Sequence, residues 1–254
     1  MIQPTMTKIT AWSATRLFVL GFFWSLAQSA WAVGEAASVT AVVGTVSAQS
    51  PDGKMRILAK GSLVMPGEIV MTEKGSTARL AFSDGGQATL SSASRLAIES
   101  YHYVPAEPGQ DNAVVNLIKG GMRSLSGAVG KRGNQDAYQA RTRVGTIGIR
   151  GTDFALMLCE PGGGCTKLEL PKDLQAGGAA VDGLYFFVFE GAIQYSNAVS
   201  QATFPAGSGG YAHDAHSRWI DLPHGDPGLG RHIPAPGTHA STHKPTHDSA
   251  CLVR

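Results

Sequence analysis

Short runs of alternating apolar and polar residues, each closed by a turn signal, dominate the chain, and this is the pattern of half-buried strands. "SVTAVVGTVSAQ" and "KMRILAKGSLV" flank "SPDG", which predicts a hairpin. "GEIVMT", "STARLAFS", "QATLS" and "SRLAIESYHYV" follow, parted by "EKG", "SDGG" and "SAS". Ala78, Leu80 and Phe82 share one face and Arg79 and Ala81 the other, and Leu96 and Ile98 repeat the arrangement. After the loop "PAEPGQDN" come "AVVNLIKGGMRSLSGAVGKR", "AYQARTRVGTIGIRGTDFALMLC", "TKLELP" and "GLYFFVFEGAIQYSN". The last sets Leu184, Phe186 and Val188 against Tyr185, Phe187 and Phe189, apolar on both faces, which predicts a central strand. "QATFPAGSGGYAH" predicts a final strand pair. The expected fold is all-β, a twisted β-roll or sandwich with short solenoid-like turns; glycine, at 32 of 254 residues, punctuates the strands and forms no low-complexity block.

Both ends depart from this pattern. Lys8 and Arg16 precede the apolar run Leu17 to Ala27, and "QSAWA" closes it with Ala30-Trp31-Ala32, the composition of a secretory signal peptide over residues 1–32 cut before Val33. The run is shorter than the roughly 20 residues of a membrane span, and no second long apolar segment follows, so the mature chain is expected to lack a transmembrane segment and to be periplasmic or secreted. From His213 to Arg254 the sequence holds seven of the eight histidines and five prolines with little apolar periodicity, which predicts an all-β domain over 33–212 and a disordered His/Pro-rich tail over 213–254.

Charge narrows the partners. Cleavage removes Lys8 and Arg16 and no acid, leaving 19 Lys plus Arg against 19 Asp plus Glu. A neutral exported chain has no field to draw nucleic acid. Locally, Lys119, Arg123, Lys131, Arg132, Arg141, Arg143 and Arg150 stand against the single acid Asp136. Gathered on one face, Arg123, Lys131, Arg132, Arg141 and Arg143 would form a basic patch for an envelope protein or an anionic polymer; split by strand alternation, they would not.

Motifs for catalysis are weak. "RVGTIGIRGTDFAL" spaces glycines as G-x-x-G-x-x-G, not as the dinucleotide G-x-G-x-x-G, and "SGAVGKR" lacks the rest of a P-loop. No G-x-S-x-G occurs, and His102 is the one histidine before residue 213. Glu68, Glu73, Asp84, Glu99, Asp136, Asp153 and Glu190 are scattered. The expectation is no catalytic residues and no cofactor. His239, His243, His247 and Cys251 recur every fourth residue, but Pro245 breaks the helix that would align them, so no metal site is expected. Cys159 and Cys165 flank Pro161 and three glycines and are expected to form a disulfide in an oxidising compartment, with Cys251 left over.

Between about Val39 and Ala212 the chain resembles the FecR domain, named from the periplasmic part of the ferric citrate regulator. The resemblance rests on "VVGTVSA", the long run from "KGSLVMPGEIV" through "DGGQATLSSASRLAI", "LIKGGMRSLSG", "TRVGTIGIRGTDF" and "GLYFFVFEGAIQ", in family order. Its most specific part is the run through Thr142, Gly148, Ile149, Arg150, Gly151, Thr152, Asp153 and Phe154. Arg143 stands where the family often has proline, and Gly86 where it often has serine. With 16 residues before Leu17 there is no room for a cytoplasmic helical domain, so the resemblance implies a stand-alone exported FecR-domain protein, all-β and without catalytic residues. Gly148 and Gly151 are expected to bend a strand, pinned by an Arg150–Asp153 pair. The function expected is a non-enzymatic binding or sensing module for a protein or envelope polymer; a carboxylate-based glycan-processing enzyme and a surface-assembly or adhesion component are the rivals.

Overall fold

A computed structural model describes residues 34–236 apart from 133, 135, 161–164, 166–167, 171, 177–178 and 223–224. The signal-peptide expectation therefore lies outside the described residues, as do His239, His243, His247 and Cys251. In chain order the strands are β1 (Ala37–Val43), β2 (Val46–Gln49), β3 (Met55–Ile57), β4 (Leu63–Val64), β5 (Ile69–Thr72), β6 (Thr77–Phe82), β7 (Gln87–Leu90), β8 (Arg95–His102), β9 (Asn112–Leu125), β10 (Tyr138–Arg141), β11 (Thr146–Cys159), β12 (Gln175–Ala176), β13 (Ala179–Ala180), β14 (Gly183–Ser196), β15 (Gln201–Pro205), β16 (Gly209–Ala212) and β17 (Ile220–Asp221). One short helix, α1 (Leu229–His232), follows. The all-β expectation holds.

Three long strands organise the rest. The first half of β9 pairs with β8 on one edge and, in parallel, with β10 on the other; its second half pairs with β7 and β11. β11 likewise lies against β10 and then β9, while β14 runs along its opposite edge throughout. Each long strand thus belongs to two limbs. One limb runs β3, β2, β5, β8 and β9, the other β4, β1, β6, β7 and β9. The "SPDG" hairpin is β2–β3, as the turn residues require. β15 and β16, expected to pair with each other, instead pair with successive halves of β14.

Side-chain alternation turns this pairing into two cores. Ala78 and Leu80 from β6, Leu96 and Ile98 from β8, and Leu184, Phe186 and Val188 from β14 enter one apolar cluster shared by both limbs. Tyr185 and Phe187, on the other face of β14, join Ala155, Met157 and Cys159 of β11 in a second cluster, against which Phe189 packs. β14 is central, and its two apolar faces are the reason.

The second cluster also corrects the boundary expected near residue 213. Leu222, Leu229 and Ile233 are buried in it, β17 pairs with β16, and Trp219 packs against the main cluster. These apolar residues are too sparse to show a period, yet Ile233 lies over the Gly121 backbone, Trp219 packs edge-on against Phe204, and Leu222 and Leu229 are buried in one cluster with Ile233, so the folded chain runs on past residue 213. Leu168 and Leu170, expected in a strand, enter the same cluster from an irregular segment.

Candidate functional site

The bend predicted in the family-specific run is present. Gly151 adopts φ +64°, and the β11–β14 register shifts between Arg150 and Asp153 and again before Phe154, a bulge that carries β11 from β10 to β9. Gly191 of β14 faces it: a Cβ there would lie 2.2 Å from the Gly151 carbonyl oxygen, so the bend needs two glycines, one per strand. Gly148 has no such demand, since a Cβ would find its nearest neighbour at 4.0 Å.

The partner of Asp153 is a second correction. Arg123, on β9, donates from Nε to Asp153 Oδ1 at 2.8 Å and from Nη2 to Oδ2 at 2.7 Å, so the pair is Arg123–Asp153 and both carboxylate oxygens are taken. The guanidinium carbon lies 3.7 Å from the centre of the Phe189 ring. Leu125 is opposite Asp153 in the β9–β11 register, and Arg123 lies two residues back on β9, its planar fork matched to the carboxylate across the strands. The pair braces β9, β11 and β14 at the bulge.

The remaining expected patch residues do not gather. Arg132 clamps Asp111 through two nitrogens, bonds the carbonyls of Val104 and Pro105 and lies over Tyr103. Arg141 donates to Glu99 and Gln139, and Arg143 to the Cys159 carbonyl. Lys131 is exposed, its side chain passing over Gly151. Arg123, Arg132, Arg141 and Arg143 are thus distributed over separate acids and carbonyls. Cys159 and Cys165 are disulfide-bonded with Cα atoms 5.4 Å apart, as expected, and the bond ties the end of β11 to the segment that feeds the second cluster.

A different basic surface appears beside β6. A groove of about 750 Å³ is lined by Thr40, Ala41 and Val42 of β1, by Gly44, by Leu58, Ala59 and Lys60, by Arg79, Ala81 and Gln87, and by Pro236. Strand alternation places Arg79 there: Ala78 and Leu80 point into the main cluster, so Arg79 and Ala81 point out. Lys60 and Arg79 have no acidic partner among the described residues, and no acid lines the groove. The other polar side chains of the lining are Thr40 and Gln87. Two unpaired cations beside neutral donors suit a carboxylate, sulfate or phosphate group; the guanidinium presents a fork and the ammonium a point charge. The outward face of Arg79 was legible in the sequence. Its place in a groove was not, because the walls come from residues far apart in the chain.

The acids are largely committed. Glu68 accepts from Arg56 Nε and Nη2 and from the Met65 amide, and Glu99 pairs with Arg141. Asp84, in "DGG", accepts from the amides of Gly86 and Val129 at 2.9 and 3.0 Å and so ties the β6–β7 turn to the loop after β9. Gly127 is required by that contact, since a Cβ there would meet the Asp84 carboxylate at 2.4 Å. Among the described residues no cluster of His, Cys, Asp and Glu has metal-binding geometry, and no helix is long and apolar enough to cross a membrane.

No curated protein matches the chain. Two crystal structures of proteins described as anti-sigma factors from Parabacteroides distasonis ATCC 8503 are similar to it, at 12% and 11% identity with TM-scores of 0.43 and 0.41. Each match covers 63% of this chain and 61% of the other, so the chain spans about three fifths of those proteins' length. The model of the FecR protein family matches residues 68–170, from the start of β5 through the Asp84 turn, the Arg123–Asp153 brace and the bulge to the segment beyond the disulfide, and the chain is a FecR domain-containing protein.

Proposed function

We propose that this protein is a non-enzymatic sensing module, exported to the periplasm or beyond, that recognises an anionic envelope protein or polymer through the groove beside β6. The observation that carries the reading is the pair of unneutralised cations, Lys60 and Arg79, in a lining without acids, whereas Arg123 is locked to Asp153. The FecR domain supports a signalling role. The commitment of Glu68, Asp84, Glu99 and Asp153 to arginines or backbone amides supports a structural use of these carboxylates over acid–base work. Cation pairs of this kind steer and select partners by charge complementarity.

The test compares Lys60→Ser/Arg79→Ser with Lys54→Ser/Lys74→Ser, which removes the same charge elsewhere, for retention of anionic envelope components on the immobilised chain. The groove variant is expected to lose retention and the control to keep it. Equal retention by both, or hydrolysis of an envelope glycan by the pure protein, would contradict the reading.

A further inference from the structure

One edge of β1 is occupied by β6 from Ala37 to Val43. The other is used only at its start: Ala37 and Ser38 pair with β4, and Val39 exchanges hydrogen bonds with Ser62 and Gly61. Beyond Val39 no strand among the described residues pairs with this edge, and that is where the groove begins. Thr40, Ala41 and Val42 form one wall and Leu58, Ala59 and Lys60 line the groove with them. Val42 packs its side chain toward the main cluster, so it meets the groove with its main chain. Arg79, paired with Ala41 in the β1–β6 register, stands on the outward face next to this open edge.

A free edge is a row of unpaired amide and carbonyl groups, and soluble proteins cover, shorten or charge such edges. Here the open stretch is short and bordered by cations, which discourages a second basic edge and favours an acidic strand. We infer that the groove takes an extended acidic segment of a partner protein, added as a strand to the open edge of β1, with its acidic side chains on the side of Arg79 and Lys60. This rests on the proposed groove reading and goes beyond it by fixing the occupant as polypeptide. Main-chain hydrogen bonds supply affinity without regard to sequence, and the two cations supply the preference for acids at alternate positions. Its volume is that of a cleft that holds a ligand of several groups.

The experiment uses the full exported chain and three probes: a capped octapeptide of alternating Glu and Thr, the same peptide N-methylated at every second residue, and polyglutamate. Affinity is read by anisotropy and amide exchange by NMR at Val42, whose main chain faces the groove. The inference expects the unmodified octapeptide to bind and to slow exchange at the Val42 amide, and the N-methylated one to bind about tenfold more weakly, because it retains the charge and loses the ladder. Equal binding of both peptides, weakened equally by Lys60→Ser/Arg79→Ser, would overturn strand addition while leaving the anionic groove intact. If polyglutamate binds and neither octapeptide does, the polypeptide-strand occupant is wrong. Binding of no probe would overturn the groove reading together with the inference. Protection of the Val42 amide already present in the free chain and unchanged by peptide would show the open edge filled by the chain itself, which also overturns it.

Discussion

Asp153 and Arg123 show how much a single pairing can decide. Their side chains are only 12% and 11% exposed, so neither charge is well solvated alone, and the Phe189 ring closes one side of the guanidinium. Replacing Asp153 with Asn leaves a nearly buried cation without its countercharge, and Asp153→Asn is expected to lower stability by about 3 kcal/mol in urea unfolding. A loss within experimental error of zero would mean that water reaches the pair. The sequence placed Asp153 at a bend but offered Arg150, three residues away, as its partner; Arg123 is thirty positions upstream, and only the β9–β11 register brings it across. Tyr138 makes a second residue-level prediction. Burial raises its phenol from 10.0 to about 12, against the opposing hydrogen bond with Ser124 at 3.0 Å. The unfolded chain releases this proton near pH 10 and the folded chain holds it to about 12. Its contribution is therefore complete below pH 10 and is lost as pH rises toward 12, by at most ~1.4 kcal/mol per pH unit. The urea midpoint should fall from pH 9 to pH 11, and less steeply in Tyr138→Phe. Equal slopes would contradict the assignment.

At the scale of elements, period-two patterning was enough to read most strands and the two-faced burial of β14, because alternation maps directly onto faces. The glycines at every third position also announced a bent strand, but could not say which glycine bends it. Positive φ and the close approach of the neighbouring strand select Gly151 and Gly191, and leave Gly148 in open space. Gly148→Ala is thus expected to change stability by no more than about 0.5 kcal/mol, whereas Gly191→Ala, which drives a Cβ into the Gly151 carbonyl at a left-handed position, should cost at least ~2 kcal/mol. Thermal unfolding of the two variants side by side checks the ordering, and a reversed order would remove the bulge from the account. The segment from residue 213 to 236 was illegible for the opposite reason: its anchors, Trp219, Leu222, Leu229 and Ile233, obey no period and act one at a time.

For the molecule as a whole, two limbs sharing three long strands follow from topology that no local pattern contains, and the same topology determines which charges are free. Composition located a basic segment between Lys119 and Arg150, yet folding gives Arg123, Arg132, Arg141 and Arg143 local tasks at Asp153, Asp111, Glu99 and the Cys159 carbonyl. Two cations without an acidic partner, Lys60 and Arg79, instead share one groove, where β1, β6, the 58–60 segment and Pro236 meet. The central claim is that these two side chains recognise the partner. It is tested most directly by the affinity of the full chain for the retained envelope component, measured from about 0.05 to 0.5 M salt for the wild type and for Lys60→Ser/Arg79→Ser. The account predicts that wild-type affinity falls as salt rises and that the variant binds more weakly with a flatter salt dependence; affinity and salt dependence equal in the two proteins would contradict it.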